Sequence, residues 1–166
     1  GRASRHVRLA DTRDAVEAMY DVRILNVTPE HTVAEQDRLY GKDLFARDPS
    51  RCCRMRKVEP LARALRGFAA WVTGIRRVEA VTRANAPLIS FDEQFKLVKV
   101  NPLAAWSDDD MAAYIDEHHI LVNPLIDEGY PSIGCAPCTA RPAEGADPRS
   151  GRWAGRAKVE CGLHAS

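Results

Sequence analysis

Apolar and polar residues alternate along this chain in short blocks whose period changes several times. Val16, Met19 and Tyr20 recur at helical spacing, and Thr12 is placed to cap a helix predicted over residues 12–20, with Asp14 and Glu17 in its first turns. The ten residues before Asp11, GRASRHVRLA, are basic without a strong period and predict no element. Residues 22–27, VRILNV, form a β-rich run of strand length. Thr28-Pro29-Glu30 then signals a turn into a helix predicted over 29–40 and stopped by Gly41, with loop or short helix over 42–50. In residues 52–65, CCRMRKVEPLARAL, basic and apolar positions alternate at helical spacing, and Pro60 is expected to kink this helix or begin a second. FAAWVT at 68–73 reads as a buried strand closed by Gly74, and 95–100 as another ending at Asn101-Pro102, with a polar, arginine-bearing connection between them. Ser107 caps a helix predicted over 108–118, whose acidic first turn suits the positive end of the helix dipole. Beyond Asn123-Pro124 the density of Gly, Pro and Cys predicts irregular backbone.

Strands alternating with helices predict an α/β fold with a mainly parallel sheet flanked by helices, followed by an irregular cysteine-rich C-terminal segment. About three strands are evident, fewer than an open parallel sheet usually has, so the chain reads as the later part of a larger domain. Its 166 residues are one domain or most of one. At 45% hydrophobic and 28% charged the chain is of ordinary globular composition, which excludes a disordered or collagen-like chain. The balance of 24 Lys+Arg against 23 Asp+Glu gives a formal charge of +1, so no nucleic-acid partner is expected and any basic site must be local. No apolar run reaches membrane-spanning length and the arginine-rich start lacks a signal-peptide core. The expectation is a soluble, cytoplasmic protein with no membrane partner.

Five cysteines change the picture: Cys52, Cys53, Cys135, Cys138 and Cys161. An odd number without a signal peptide is a poor disulfide framework and points to reactive or metal-bound thiolates. Cys135 and Cys138 form a C-x-x-C turn, whose two thiolates can converge on one metal centre. The side chains of the tandem Cys52-Cys53 diverge on a helix or strand, so they reach one tetrahedral ion only with difficulty. Different irons of a [4Fe–4S] centre remove that difficulty, while structural zinc and buried or redox thiols stay open on spacing alone. Cys161 lies in Glu160-Cys161-Gly162-Leu163-His164 near the end of the chain. There it is either a nucleophile, with His164 lowering the thiol pKa or binding an anionic substrate, or an inert thiol in a frayed tail. Trp106 and Trp153 read as packing residues, and His118-His119 as a solvent-facing helix end.

With CCRMRK, TGIRR, SIGCAPCT, GRW and ECGLH present in this order, the chain resembles the assimilatory adenylylsulfate (APS) reductases, the [4Fe–4S] sulfonucleotide reductases of the PAPS reductase family. The resemblance covers residues 12–166 and leaves 1–11 as an unmatched N-terminal segment. It implies a partial adenine-nucleotide alpha-hydrolase-like (PP-loop) fold. It implies that Cys52, Cys53, Cys135 and Cys138 hold a [4Fe–4S] cluster and that Cys161 is the catalytic nucleophile. It further implies that Lys57, Arg76, Arg77, Arg83, Arg149, Arg152 and His164 bind adenosine 5′-phosphosulfate. The implied reaction is thioredoxin-dependent reduction of that substrate to sulfite and AMP, in sulfate assimilation and cysteine biosynthesis, through an S-sulfocysteine on Cys161. Thioredoxin or a similar dithiol is the implied partner, and the chain is allowed to oligomerise. The four cluster cysteines separate this class from relatives that act on 3′-phosphorylated APS. The family also implies a Ser-Gly-Gly type phosphate loop ahead of the helix at Thr12, which this sequence does not contain. The alternative is therefore a truncated, non-catalytic iron–sulfur or zinc-binding module, and these residues alone are expected to bind APS poorly.

Overall fold

The longest helix begins where the sequence predicts no element. A computed structural model describes residues 2–164, and in it α1 runs from Arg2 to Tyr20, absorbing the helix expected from Thr12. Asp21 leaves it in the left-handed region, at φ 48°. The chain then remains without regular structure through residues 22–27, the run expected to be a strand. Ile24 donates its N–H to Glu17 Oε1 at 2.6 Å instead of to a ladder neighbour, and Val22, Leu25 and Val27 are exposed. A β-rich run becomes a strand only against a partner.

Helix α2 spans Val33–Tyr40 and starts later than expected, because Thr32 rather than the Pro29 region caps it. Thr32 Oγ1 accepts from the Glu35 N–H at 3.2 Å while Glu35 Oε2 accepts from the Thr32 N–H at 2.8 Å, a reciprocal capping box. The Thr32 donors hold the Glu35 carboxyl below its ordinary pKa. Helix α3, Leu44–Arg47, is a single turn. Helix α4, Pro49–Cys53, is capped by the Asp48 side chain, runs into a π turn over Arg54–Val58, and continues as α5, Glu59–Ala64. The Glu59 N–H reaches back five residues to the Arg54 carbonyl. Pro60 stands in the first turn of α5, the second helix expected to begin there, which follows α4 through the π turn without a break. Having no N–H to donate, it sits where the π turn hands over to α5.

Three strands follow: β1 Ala70–Val72, β2 Ile89–Asp92 and β3 Leu97–Val100, in the order β1-β3-β2. The sheet is mixed, with β1 parallel to β3 and β2 antiparallel to it. The expected mainly parallel sheet is corrected by β2, which lies in the connection read as polar. It was hidden because Ser90 and Asp92 face the covered side while Ile89 and Phe91 face outward, 68% and 56% exposed. The β2–β3 turn is closed by the Lys96 N–H to the Asp92 carbonyl at 2.7 Å, and the Asp92 carboxylate accepts from the N–H groups of Gln94 and Phe95. Helix α6, Asp108–His118, forms as predicted. Ser107 Oγ accepts from the Asp110 N–H, and Asp110 Oδ2 accepts from the Ser107 N–H at 2.9 Å.

The chain divides into two compact units. One joins the chain up to Asn26 with Ala112–Val159, and the other joins Val27–Met111 with the segment from Glu160 onward. In the first, Leu125 and Trp153 are buried, and Asn123 Nδ2 donates to Thr12 Oγ1 at 3.0 Å. As composition predicts, its backbone beyond Asn123 is irregular, with one short 3-10 turn at Ala136–Cys138. The second unit is organised on the sheet. Asn101, 1% exposed, accepts from Thr73 Oγ1 at 2.5 Å and donates through Nδ2 to the Pro87 carbonyl at 2.8 Å. Those bonds tie the ends of β1 and β3 to the segment entering β2.

Candidate functional site

The tandem cysteines lie at the end of α4, inside one continuous helical rod, with Cys53 buried and Cys52 half-buried. Adjacent residues on a helix point about 100° apart, so these two sulfurs diverge as expected. Lys57 follows on the π turn, a conformation that recurs at functional sites and that periodicity does not reveal.

Cys135 and Cys138 belong to the other unit and flank the 3-10 turn. The Cys138 N–H bonds the Cys135 carbonyl at 2.9 Å, and Thr139 Oγ1 donates to the same carbonyl at 3.0 Å. In such a turn residues three apart lie on one side. The turn is braced by the pairing of Thr139 with Arg152, where the Ala140 N–H meets the Gly151 carbonyl at 2.8 Å. A Cβ on Gly151 would fall 2.1 Å from the Ala140 carbonyl oxygen, and one on Gly134 would fall 2.2 Å from the Arg152 guanidinium. Gly151, which faces backbone, is therefore dictated by close approach, whereas at Gly134 the Arg152 side chain would have to swing aside. None of the five cysteines is in a disulfide. Among the described residues, neither unit by itself gathers three or more His, Cys, Asp or Glu side chains into a group able to hold a metal ion. The four cysteines divide two and two.

The sequence-predicted basic residues divide likewise. Arg149 donates to the Val159 carbonyl at 3.1 Å, and Arg152 donates to the Ile133 carbonyl at 3.1 Å while lying over the Trp153 ring. Trp153, read as a packing residue, is indeed buried. In the second unit Arg76 donates to the Ser107 carbonyl and pairs with Asp108 at 2.9 Å, and Arg77 donates to the Ala86 carbonyl at 2.8 Å. These two guanidinium groups brace backbone around the sheet.

Arg83, Cys161 and His164 come together in the second unit. Arg83 Nε and Nη2 donate to the two oxygens of Glu160 at 2.8 and 3.0 Å, and Nη1 donates to Glu79 at 2.6 Å. Both partners of the Arg83–Glu160 fork are largely buried, at 11% and 16% side-chain exposure. Burial alone would lower the guanidinium pKa, but the Glu160 and Glu79 carboxylates more than offset it, so it stands above its ordinary value. The next residue after Glu160 is half-buried Cys161. Gly162, at φ 85°, accepts from Gln94 Nε2 at 3.0 Å, and a Cβ there would stand 3.6 Å from Val58 Cγ2 on the π turn. His164 stacks on Trp71 with ring centroids 5.7 Å apart and planes at 8°. Burial, reinforced by the charges of Lys99 and Arg83, pushes its pKa down to about 4, so the imidazole is neutral near pH 7.

Sequence reasoning missed Glu160, Glu79, Gln94, Trp71 and Lys99. Lys99 had a visible signal, a lone cation inside the apolar strand LVKV. Glu160 did not, since a carboxylate beside a candidate nucleophile has no periodic signature.

The profile of the phosphoadenosine phosphosulfate reductase domain matches residues 3–141, which includes most of the basic start that the motif resemblance left out. The protein named adenosine 5′-phosphosulfate reductase of Mycobacterium tuberculosis is 74% identical over 160 residues, covering 96% of this chain and 63% of the relative. Its namesake in Mycolicibacterium smegmatis is 74% identical over 155 residues, covering 93% of this chain and 66% of the relative. That of Rhodococcus opacus is 73% identical over 155 residues, covering 93% and 63%. A crystal structure of phosphoadenylyl-sulfate (PAPS) reductase from Candida auris, in a phosphate complex, superimposes with a TM-score of 0.65 at 30% identity, covering 77% of this chain and 63% of that one. With the profile matching most of its length, the chain belongs to the phosphoadenosine phosphosulfate reductase domain family. It spans a little under two thirds of the length of these relatives. Among the described residues no helix is long and apolar enough to cross a membrane.

Proposed function

We propose that this chain is the greater part of a cytoplasmic adenosine 5′-phosphosulfate reductase that yields sulfite and AMP. The observation that carries the reading is the clamped tail: the Arg83–Glu160 fork and the Gln94 contact hold Cys161 and His164 against the sheet, next to the helical rod bearing Cys52, Cys53 and Lys57. The names and high identity of the mycobacterial relatives support the choice of substrate.

In this reading the Cys161 thiolate attacks the sulfur of the substrate's sulfo group. The bond from that sulfur to the phosphate-bridging oxygen breaks, and AMP leaves with the electron pair. Cys161 is left as Cys–S–SO₃⁻. Thioredoxin or a similar dithiol attacks the Cys161 sulfur, releasing sulfite and forming a mixed disulfide that its second thiol resolves. The dithiol thus supplies both electrons. Lys57, Arg149 and Arg152 are assigned to neutralising the phosphosulfate oxygens. His164, neutral at working pH, is assigned to hydrogen-bonding them rather than to charge pairing.

The four thiols outside the tail fit a polynuclear centre better than a single ion, since the tandem pair diverges on its helix while the C-x-x-C pair shares one side of its turn. Cys52, Cys53, Cys135 and Cys138 would hold a [4Fe–4S] cluster. When bound, it would supply a structural and electrostatic contribution to the site, with no electron-transfer role.

The test uses the chain extended at its start by a family-like phosphate-loop portion and incubated with APS labelled in the sulfo sulfur. Label should appear on the peptide containing Cys161 and leave as sulfite when a dithiol is added. Label retained in a Cys161→Ser variant would overturn the reading.

A further inference from the structure

The buried face of the sheet in the second unit carries chemistry that the reaction above leaves unassigned. Register aligns Trp71, Lys99 and Ser90 in one row across β1, β3 and β2. Sheets normally put such a row into water and the apolar row into the core. Here the pattern is reversed, with Lys99 only 6% exposed while Val72 on the opposite face is 69% exposed.

Lys99 has no hydrogen-bond acceptor among the described residues, and its ammonium stands 5.4 Å from the centre of the Trp71 ring. The indole Nε1 of Trp71 and the Nδ1 of His164 are also buried without a partner. Trp71 and Lys99 can only donate, and a neutral imidazole can donate from one nitrogen. The charged groups around them are already engaged: Arg83 with Glu160 and Glu79, and Asp92 with the N–H groups of its own turn. Buried polar groups left without a partner, as Trp71 Nε1 and His164 Nδ1 are, are costly, and Lys99 adds a cation with no hydrogen-bond acceptor beside them. A cluster of donors lacking an acceptor, one of them the His164 that follows Cys161 by three residues, is the complement of an oxyanion.

We propose that Trp71, Lys99 and His164 form a receptor for a sulfo oxyanion, with Lys99 supplying its charge. Its place in catalysis rests on the function proposed above, where the sulfo group is first borne by the substrate and then by Cys161. Its ability to bind the anion does not. Burial lowers the Lys99 pKa, with the nearby Asp92 carboxylate opposing that shift and Arg83 adding to it, so an arriving anion favours the charged ammonium.

Inorganic sulfate is the probe, titrated into the 166-residue chain at constant ionic strength with chloride as the balancing salt, and followed by Tm and tryptophan fluorescence. Sulfate should raise the Tm of the wild type and perturb its fluorescence. In Lys99→Met the sulfate affinity should fall at least about tenfold, the loss of one charge-assisted contact. Without sulfate that variant should melt no lower than the wild type, because a cation with no hydrogen-bond partner has left the covered face of the sheet. Lys99→Arg should recover part of the response. Cys161→Ser should respond like the wild type, showing that the receptor takes the free anion without the thiol. A persistent response in Cys161→Ser coupled to loss of APS binding in Lys99→Met would assign the receptor to the substrate-borne group. Unchanged APS binding with a shorter-lived Cys161 sulfonate would assign it to the enzyme-borne one. A wild type indifferent to sulfate means that water alone satisfies these donors, and overturns the proposal. So does an equal response in Lys99→Met, or a Lys99→Met chain that melts well below the wild type. Sulfate binding through Lys99 in a protein that never sulfonates Cys161 would leave the receptor standing and remove the proposed reaction.

Discussion

Replacing Glu160 by Gln tests the clamp that holds the candidate nucleophile. The change keeps shape but removes the charge that accepts two hydrogen bonds from Arg83, at 2.8 and 3.0 Å. Both side chains are more than four-fifths buried, so solvent screening is weak and the fork is not a surface ion pair. A hydrogen bond to a charged group contributes roughly 1.5–3 kcal/mol, and the amide retains one acceptor, so a net loss of about 2 kcal/mol is expected. That corresponds to about a 30-fold larger undocked fraction of the tail. The loss should appear as local release of the segment from Glu160 rather than global unfolding. The assay is the alkylation rate of Cys161, read by peptide mass at a reagent concentration where opening is in equilibrium. Glu160→Gln should react about 30-fold faster with nearly unchanged Tm. A double-mutant cycle with Arg83→Gln should return most of the coupling. Equal alkylation rates, or a large fall in Tm without faster alkylation, would show that the fork does not hold the tail.

Acid should loosen the same contact. His164 docks with its pKa pushed down to about 4 from 6.5, so between those values the released tail binds a proton that the docked one does not. Docking is therefore fully present above about pH 6.5 and weakens as pH falls toward 4, against the charges of Lys99 and Arg83 that face the ring and with Glu160 and Asp92 partly compensating. Hydrogen exchange over residues 159–164, corrected for intrinsic rates, should show this dependence, and His164→Asn should abolish it; a tail equally protected at pH 5 and pH 8 would contradict the assignment. Gly151→Ala places a Cβ 2.1 Å from the Ala140 carbonyl oxygen and should cost at least about 2 kcal/mol, lowering Tm by about 4 °C or more. A Tm within 1 °C of wild type, about the error of the measurement, would show that the Ala140–Gly151 pairing yields freely.

Legibility in the sequence followed the range of the forces involved. Helix α6 was readable because Ser107 and three consecutive acidic residues are local signals that no tertiary contact overrides. The start of α2 was misplaced at the Pro29 region although T-x-x-E at Thr32–Glu35 spelled its capping box. The run at 22–27 has strand chemistry but no sheet neighbour, and β2 has a sheet neighbour but its polar residues face inward, so alternation misled in both directions. Cysteine spacing separated a tandem pair, a C-x-x-C turn and a tail thiol from the start. Partners of the basic residues were not legible: Arg83 meets Glu160 from 77 positions away. Nor was the π turn, which depends on where the helix accommodates Pro60 rather than on any period.

The central claim is that the nucleophile and the metal-holding thiols are separate sets. Its most direct test is a paired iron, labile sulfide and sulfite-release assay on anaerobically purified protein carrying a family-like phosphate-loop portion, comparing wild type with Cys161→Ser. The account predicts iron and sulfide in cluster stoichiometry in both, with sulfite released only by the wild type. Iron lost from Cys161→Ser, or one zinc and no sulfide in the wild type, would contradict it.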